Sequence, residues 1–258
     1  MIVAGLLLLA VGSADLARQF LRRPYRLIVL IAIGVAILVL GILCAAWPAS
    51  LLAVAVAVAW LWLFPAEAPA RAGFWPAIVL AIACGAFVAA LGSRQDAGLL
   101  GSVWRLPTPF GPLSIDHTVL TVGAICILLE SGNVIVRAAL ASEIPLFAPA
   151  PAPAPATAAA PASAVGEADG ETTVALPTLK GGRLIGPLER VIVFSLTLSG
   201  VYALLAAVLA AKGIVRFPEI SRDGGGDRAE YFLIGSLVSW VIALAAAFLV
   251  WWGFTVVP

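Results

Sequence analysis

The segment Lys180–Trp251 reads KGGRLIGPLER, then VIVFSLTLSGVYALLAAVLAA, then KGIVRFPEISRDGGGDRAE, then YFLIGSLVSWVIALAAAFLVW. Two uncharged runs, Val191–Ala211 and Tyr231–Trp251, are bracketed by nearly all of the late charges of the chain. Each is long enough to cross the hydrocarbon core of a bilayer, which takes roughly 20 residues at ~1.5 Å per residue. The pattern predicts a helix that crosses, a charged connection, and a helix that crosses back.

Composition extends this reading to the whole chain. Of 258 residues, 62% are hydrophobic and only 11% charged. The mean hydropathy of +1.09 lies outside the soluble globular range. A formal net charge of +1 leaves no basic surplus for nucleic acid and no acidic surplus for cationic partners. Cys44, Cys84 and Cys126 sit in three different apolar runs without CxxC spacing, and there is one histidine. Neither a disulfide framework nor a metal site is indicated, and no cofactor is implied.

The expected fold is an all-α, polytopic helical membrane bundle with seven helical segments and six or seven crossings. The first segment, Ile2 to about Leu21, has no Lys or Arg ahead of its apolar part and reads as a retained helix with its N-terminus outside. Asp15, Arg18 and Arg22 share one face of it, which places that face at the membrane surface with Asp15 near the interface. Leu27–Trp47 and Ala49–Phe64 follow, separated at WPAS, with Trp60 and Trp62 suited to an interfacial belt. Ala72–Ser93 is the fourth run, and the irregular stretch Arg94–Ile115 reads as a loop or a partly re-entrant segment.

The fifth helix, Ile115–Ala141, is the most polar. Glu130, Asn133 and Arg137 recur at spacings of three and four, and the same face carries Cys126 and Gly123. Such a stripe turns toward other helices or water, as a packing seam or a solute pathway. His117, beside Asp116, reads as an interfacial or capping side chain. Residues 144–178, rich in Pro and Ala, read as a disordered tether between a five-helix front (1–143) and a two-helix hairpin (179–258) of one membrane domain.

In that hairpin, Ser195 and Ser199 face the matching spacing of Gly235 and Ser239. Roughly 23 residues of continuous helix put Glu189 and Lys212 about 34 Å apart, on opposite membrane faces. Lys212, Arg216, Glu219, Arg228 and Glu230 then form one charged cluster, and Glu189 with Arg190 another. Counting Lys and Arg by connection gives only a weak bias for either side.

The segments IGPLER, AAKGIVRFPE and AEYFLIGSLVS resemble, in this order, the C-terminal part of a group of uncharacterised bacterial integral-membrane proteins. The resemblance implies that Ile185, Gly186, Glu189, Arg190, Lys212, Arg216, Phe217, Glu219, Glu230 and Tyr231 hold motif positions, and it brings no activity with it. Three functions are therefore expected in order. The first is an assembly or support component of a bacterial envelope complex, in lipid and open to homo- or hetero-oligomers through small-residue faces, without nucleic acid. The second is a transporter or channel component using Glu130, Asn133 and Arg137. The third is an enzyme acting on a lipid headgroup through the charged clusters.

Overall fold

The computed structural model describes residues 1–65, 71, 73–92, 94, 97–104, 106–108, 111–143, 182–222 and 226–255. Glu67 and the Pro/Ala-rich tether expected at 144–178 lie outside the described residues, as do the side chains of Arg216, Glu219 and Arg228. The described chain is almost wholly helical. Its helices are α1 (Ile2–Phe20), α2 (Arg23–Leu43), α3 (Trp47–Leu63), α4 (Trp75–Leu91), α5 (Gly98–Val103), α6 (Ile115–Cys126), α7 (Gly132–Glu143), α8 (Gly182–Leu198), α9 (Tyr202–Arg222) and α10 (Gly226–Thr255).

A π-helical turn, Ile127–Ser131, joins α6 to α7, so the expected fifth helix is continuous but widened once. The irregular stretch after α4 holds α5 and a small antiparallel hairpin, β1 (Leu106–Thr108) with β2 (Gly111–Leu113).

Local chemistry explains several of these boundaries. Pro24, Pro48 and Pro76 stand in the first turns of α2, α3 and α4, where a missing amide donor costs little. Ser114 caps α6 through its hydroxyl, which accepts from the His117 amide. Among the described residues, four stretches are long and apolar enough to cross a membrane: Ile2–Phe20, Pro24–Leu43, Ile115–Ala141 and Phe232–Thr255. On α2 the outward face carries Ile28, Ile31, Val35, Val39 and Ile42, all exposed. A continuous apolar strip of that kind is a liability in water and an ordinary surface against lipid.

The centre of the bundle is α1, not the late hairpin from which the sequence is most easily read. It packs against α2, α3, α4, α6 and the π-helical turn, and Leu6, Leu7, Val11 and Ala14 are buried. Asp15, expected on a face lying at the membrane surface, is fully buried between helices and paired with Arg18. The approach of α1 to α6 is set by glycine. A Cβ added at Gly12 would lie 2.7 Å from the Cys126 carbonyl carbon, and one at Gly5 2.7 Å from the Leu120 amide nitrogen. From the other helix, Gly123 meets the Gly5 carbonyl in the same way. The two helices run parallel with their backbones in contact, the close approach by which helices associate in lipid.

Gly12→Ala is accordingly expected to force α1 from α6 and to destabilise by about 1–3 kcal/mol, the usual cost of overpacking. Gly34→Ala, at a site with nothing within 4 Å, serves as the control and leaves the unfolding midpoint in detergent unchanged or slightly raised.

The expected sixth crossing, Val191–Ala211, is not one helix. It breaks at Ser199–Val201 into α8 and α9. Gly200 takes φ +70°, its amide donates to Thr197 O, and the Val201 amide reaches back to Leu196 O. That pair of bonds around a left-handed glycine is the Schellman stop of a helix. Ser195 and Ser199 are exposed, and Gly235 packs on Val136 and Leu140 of α7, so the expected small-residue match between hairpin arms is not made. Along α8 and α10 the contact is polar at Arg190 and Ser239 and apolar at Val193 and Phe194, which are buried.

Candidate functional site

The π-helical turn creates the first part of the site. The Gly132 amide bonds five residues back to Ile127 O and passes over the Leu128 carbonyl. That carbonyl accepts from Arg190 Nε of α8 at 2.7 Å. The same guanidinium donates to Asn133 Oδ1 at 2.7 Å and to Ser239 Oγ of α10 at 3.3 Å. Arg190 is 2% exposed, and a Cβ at Gly132 would lie 2.6 Å from its Nε. Only glycine leaves room for the guanidinium there. The Asn133 amide is oriented from both sides, since its Nδ2 donates to Glu130 Oε2 at 3.1 Å while its Oδ1 accepts from Arg190.

The second part surrounds Asp15. Its Oδ1 accepts from Arg18 at 2.7 Å, and its Oδ2 from Trp60 Nε1 at 2.9 Å and Ser131 Oγ at 2.6 Å. Arg18 also donates to the Phe64 carbonyl at the end of α3. The carboxylate thus ties α1, α3 and the π-helical turn together. Glu130 and Ser131, adjacent in that turn, belong one to each network. Glu130 is buried, and Arg137, whose side chain is 65% exposed, approaches its Oε1 at 3.9 Å.

The third part corrects the largest expectation drawn from the sequence. Glu189 and Lys212 are not on opposite faces: Lys212 Nζ donates to Glu189 Oε1 at 2.7 Å and Oε2 at 2.6 Å. Glu189 lies about eleven residues before Gly200 and Lys212 about twelve after it, so a hairpin closed at that glycine brings them level. Trp240 Nε1 of α10 adds a bond to Glu189 Oε1 at 2.8 Å. The two charged clusters expected to be separate therefore meet at this pair, while Glu230, near the start of α10, is exposed.

Other polar groups serve the frame. Arg94 binds Asp116 at 3.0 and 3.3 Å and the Ala45 carbonyl at 3.2 Å, joining the α2–α3 corner to the start of α6. His117 Nδ1 lies 2.6 Å from the capping Ser114 hydroxyl, and its ring stacks on Phe254. The three cysteines are free, and no group of His, Cys, Asp or Glu among the described residues has a metal-binding arrangement. Between α4 and α10 lies an apolar cavity of about 530 Å³, lined by Phe74, Ala81, Cys84, Val241, Ala245 and Trp252 among others.

Of the stripe residues, Glu130 and Asn133 enter the buried network, whereas Arg137 stays exposed at its edge. Sequence reasoning missed Trp60, Ser131, Ser239 and Trp240 as partners. Trp60, suited by position to the interfacial belt, is 3% exposed and faces Asp15. A carboxylate inside an apolar helix was the available signal for a buried donor elsewhere. Nothing in the local sequence names which donor it is.

These elements define an almost wholly helical protein with several helices fit to cross a membrane and an interior joined by hydrogen-bonded charges. No protein-family model, no curated protein and no solved structure matches the chain.

Proposed function

We propose that the chain is a multi-pass protein of a cell membrane and an assembly or support component of a bacterial envelope complex. The observation that carries this reading is the bonding of its buried charges from helix to helix, three hydrogen bonds each for Asp15 and Arg190. These bonds join α1, α3, α8, α10 and the turn between α6 and α7. Networks so bonded hold helices in one register and favour a fixed scaffold. The resemblance of IGPLER, AAKGIVRFPE and AEYFLIGSLVS to bacterial integral-membrane proteins points the same way, because Glu189, Arg190 and Lys212 from those segments sit at the structural joints.

In this reading α1, α2, α3, α4, α6 with α7, and α10 cross the membrane, and α8–α9 enters and returns. The break in the sixth segment puts its two charged flanks on one side. Among the described Lys and Arg, Arg94 alone then lies at the end shared by the α2–α3 corner and the start of α6. Arg22, Arg26, Arg71, Arg137, Arg183 and Arg228 fall at the other end with α9, and that end is cytoplasmic by the positive-inside tendency.

In sealed right-side-out vesicles, an impermeant maleimide is expected to label a cysteine placed at Leu99 and not one placed at Arg22. The opposite pattern overturns the orientation. The assembly role is tested by photocrosslinking from exposed positions Val241 and Leu204 in native membranes. A discrete protein adduct at either position supports it; lipid adducts alone at both count against it.

A transport role is the second reading, favoured by Glu130, a carboxylate of the polar stripe buried inside the bundle. Solute or proton flux in proteoliposomes that falls with Glu130→Gln would place this reading first.

A further inference from the structure

The two arms of the α8–α9 hairpin are held differently. Along α8, Val193 and Phe194 are buried and Arg190 is bonded to three partners. Most of Tyr202–Ile214 in α9 is exposed, and its less exposed positions, Leu205, Val208, Leu209 and Lys212, form one narrow stripe. Leu205 and Leu209 touch the core. In lipid those apolar contacts hold the helix weakly, because acyl tails are as apolar as leucine and replace it at little cost.

Lys212 is a different kind of tie. It bonds both oxygens of Glu189 and lies 5.7 Å from the Phe232 ring and 5.6 Å from the Trp240 ring. The side chains of the pair are 24% and 12% exposed, so separating them leaves each charge facing a poorly solvating surround. At the far end of the arm, the Ser199–Val201 turn is exposed and nothing lies within 4 Å of the Cβ position of Gly200. The turn is free of packing that would clamp its angle.

We propose that α9 is a strap, hinged at Ser199–Val201 and latched to α8 and α10 by Lys212 on Glu189 beside Trp240. When the latch is made, α9 lies alongside α8 and α10. When Lys212 leaves, α9 swings away from α8 and bares the Glu189 carboxylate, one residue from the guanidinium of Arg190. The device goes beyond the assembly reading and stands or falls without it.

The test uses the full chain with Cys44, Cys84 and Cys126 replaced by alanine, spin-labelled at cysteines placed at exposed Leu188 and Ile214 and reconstituted in vesicles. From hinge to Ile214 the arm is about 20 Å, so a swing of about 30° lengthens the label separation by about 10 Å. The parent is expected to show one narrow distance, and Lys212→Met to add a population about 10 Å longer. Exchanging the charges, Glu189→Lys with Lys212→Glu, restores the single distance. Glu189→Gln, which keeps the shape and the Trp240 bond, adds a smaller share of the longer population and decides the matter if Lys212→Met fails to accumulate. A distribution in Lys212→Met or Glu189→Gln indistinguishable from the parent overturns the latch, as does a parent that already populates both distances.

Discussion

Asp15→Leu is expected to lower the stability of the protein in detergent by about 3–5 kcal/mol, the cost of removing one partner from a buried ion pair. The carboxylate is fully buried and takes hydrogen bonds from Arg18, Trp60 and Ser131. Leucine fills most of the volume but leaves the guanidinium, the indole N–H and the hydroxyl without their acceptor. Among the described residues Arg18 keeps only the Phe64 carbonyl, and its side chain is 10% exposed, too little for water to take over. The midpoint of thermal or denaturant unfolding in a mild detergent measures the loss. The double variant Asp15→Leu with Arg18→Met should recover much of it, because the stranded charge is gone. A single variant as stable as the parent would show that the Asp15 network does not hold α1 to α3 and the π-helical turn.

Arg190→Ala is expected to cost a similar amount and to act at a different place. It strands the Leu128 carbonyl that the π-helical turn leaves open, along with Asn133 Oδ1 and the Ser239 hydroxyl, and leaves a void where the guanidinium lay. Amide exchange should quicken in residues 127–133 and on the facing turn of α10 before the rest of the bundle opens. Arg190→Lys should recover less than half of the loss, since an ammonium has three donors at one point and cannot reproduce the guanidinium fork. Gly132→Ala is the independent check. Its added Cβ would fall 2.6 Å from Arg190 Nε, so it should quicken the same amides with Arg190 still present.

Much of the helical framework was legible from residue type. The uncharged runs Leu27–Trp47, Ala49–Phe64, Ala72–Ser93 and Tyr231–Trp251 overlap α2, α3, α4 and α10. The polar stripe of Glu130, Asn133 and Arg137 was visible through its spacing, but the stripe is interrupted by a π-helical turn that alters which residues face inward. Ser131 lies off the stripe at ideal α-helical pitch and yet reaches Asp15. The break in the sixth segment had a local signal, the Ser199–Gly200 pair, which at that spacing also fits a small-residue packing face. Both uses of glycine have the same sequence signature, and only the backbone angle at Gly200 separates them.

The sequence by itself determined the class of surface this chain presents and the kind of element it builds. Transfer of long aliphatic runs from water is favourable residue by residue, and a chain with so few charges has little other means of satisfying its backbone than helix. Which helix lies at the centre was decided by tertiary structure, because hydropathy assigns the same energy to a leucine against lipid and a leucine against another helix. α1 is central because Gly5 meets Leu120 and Gly123, because Gly12 meets Cys126, and because Asp15 finds Trp60 and Ser131, partners 45 and 116 residues away. The meeting of Glu189 with Lys212 was decided in the same way. A straight helix would hold them about 34 Å apart, whereas one left-handed glycine between them turns the chain back and lets the two charges neutralise each other.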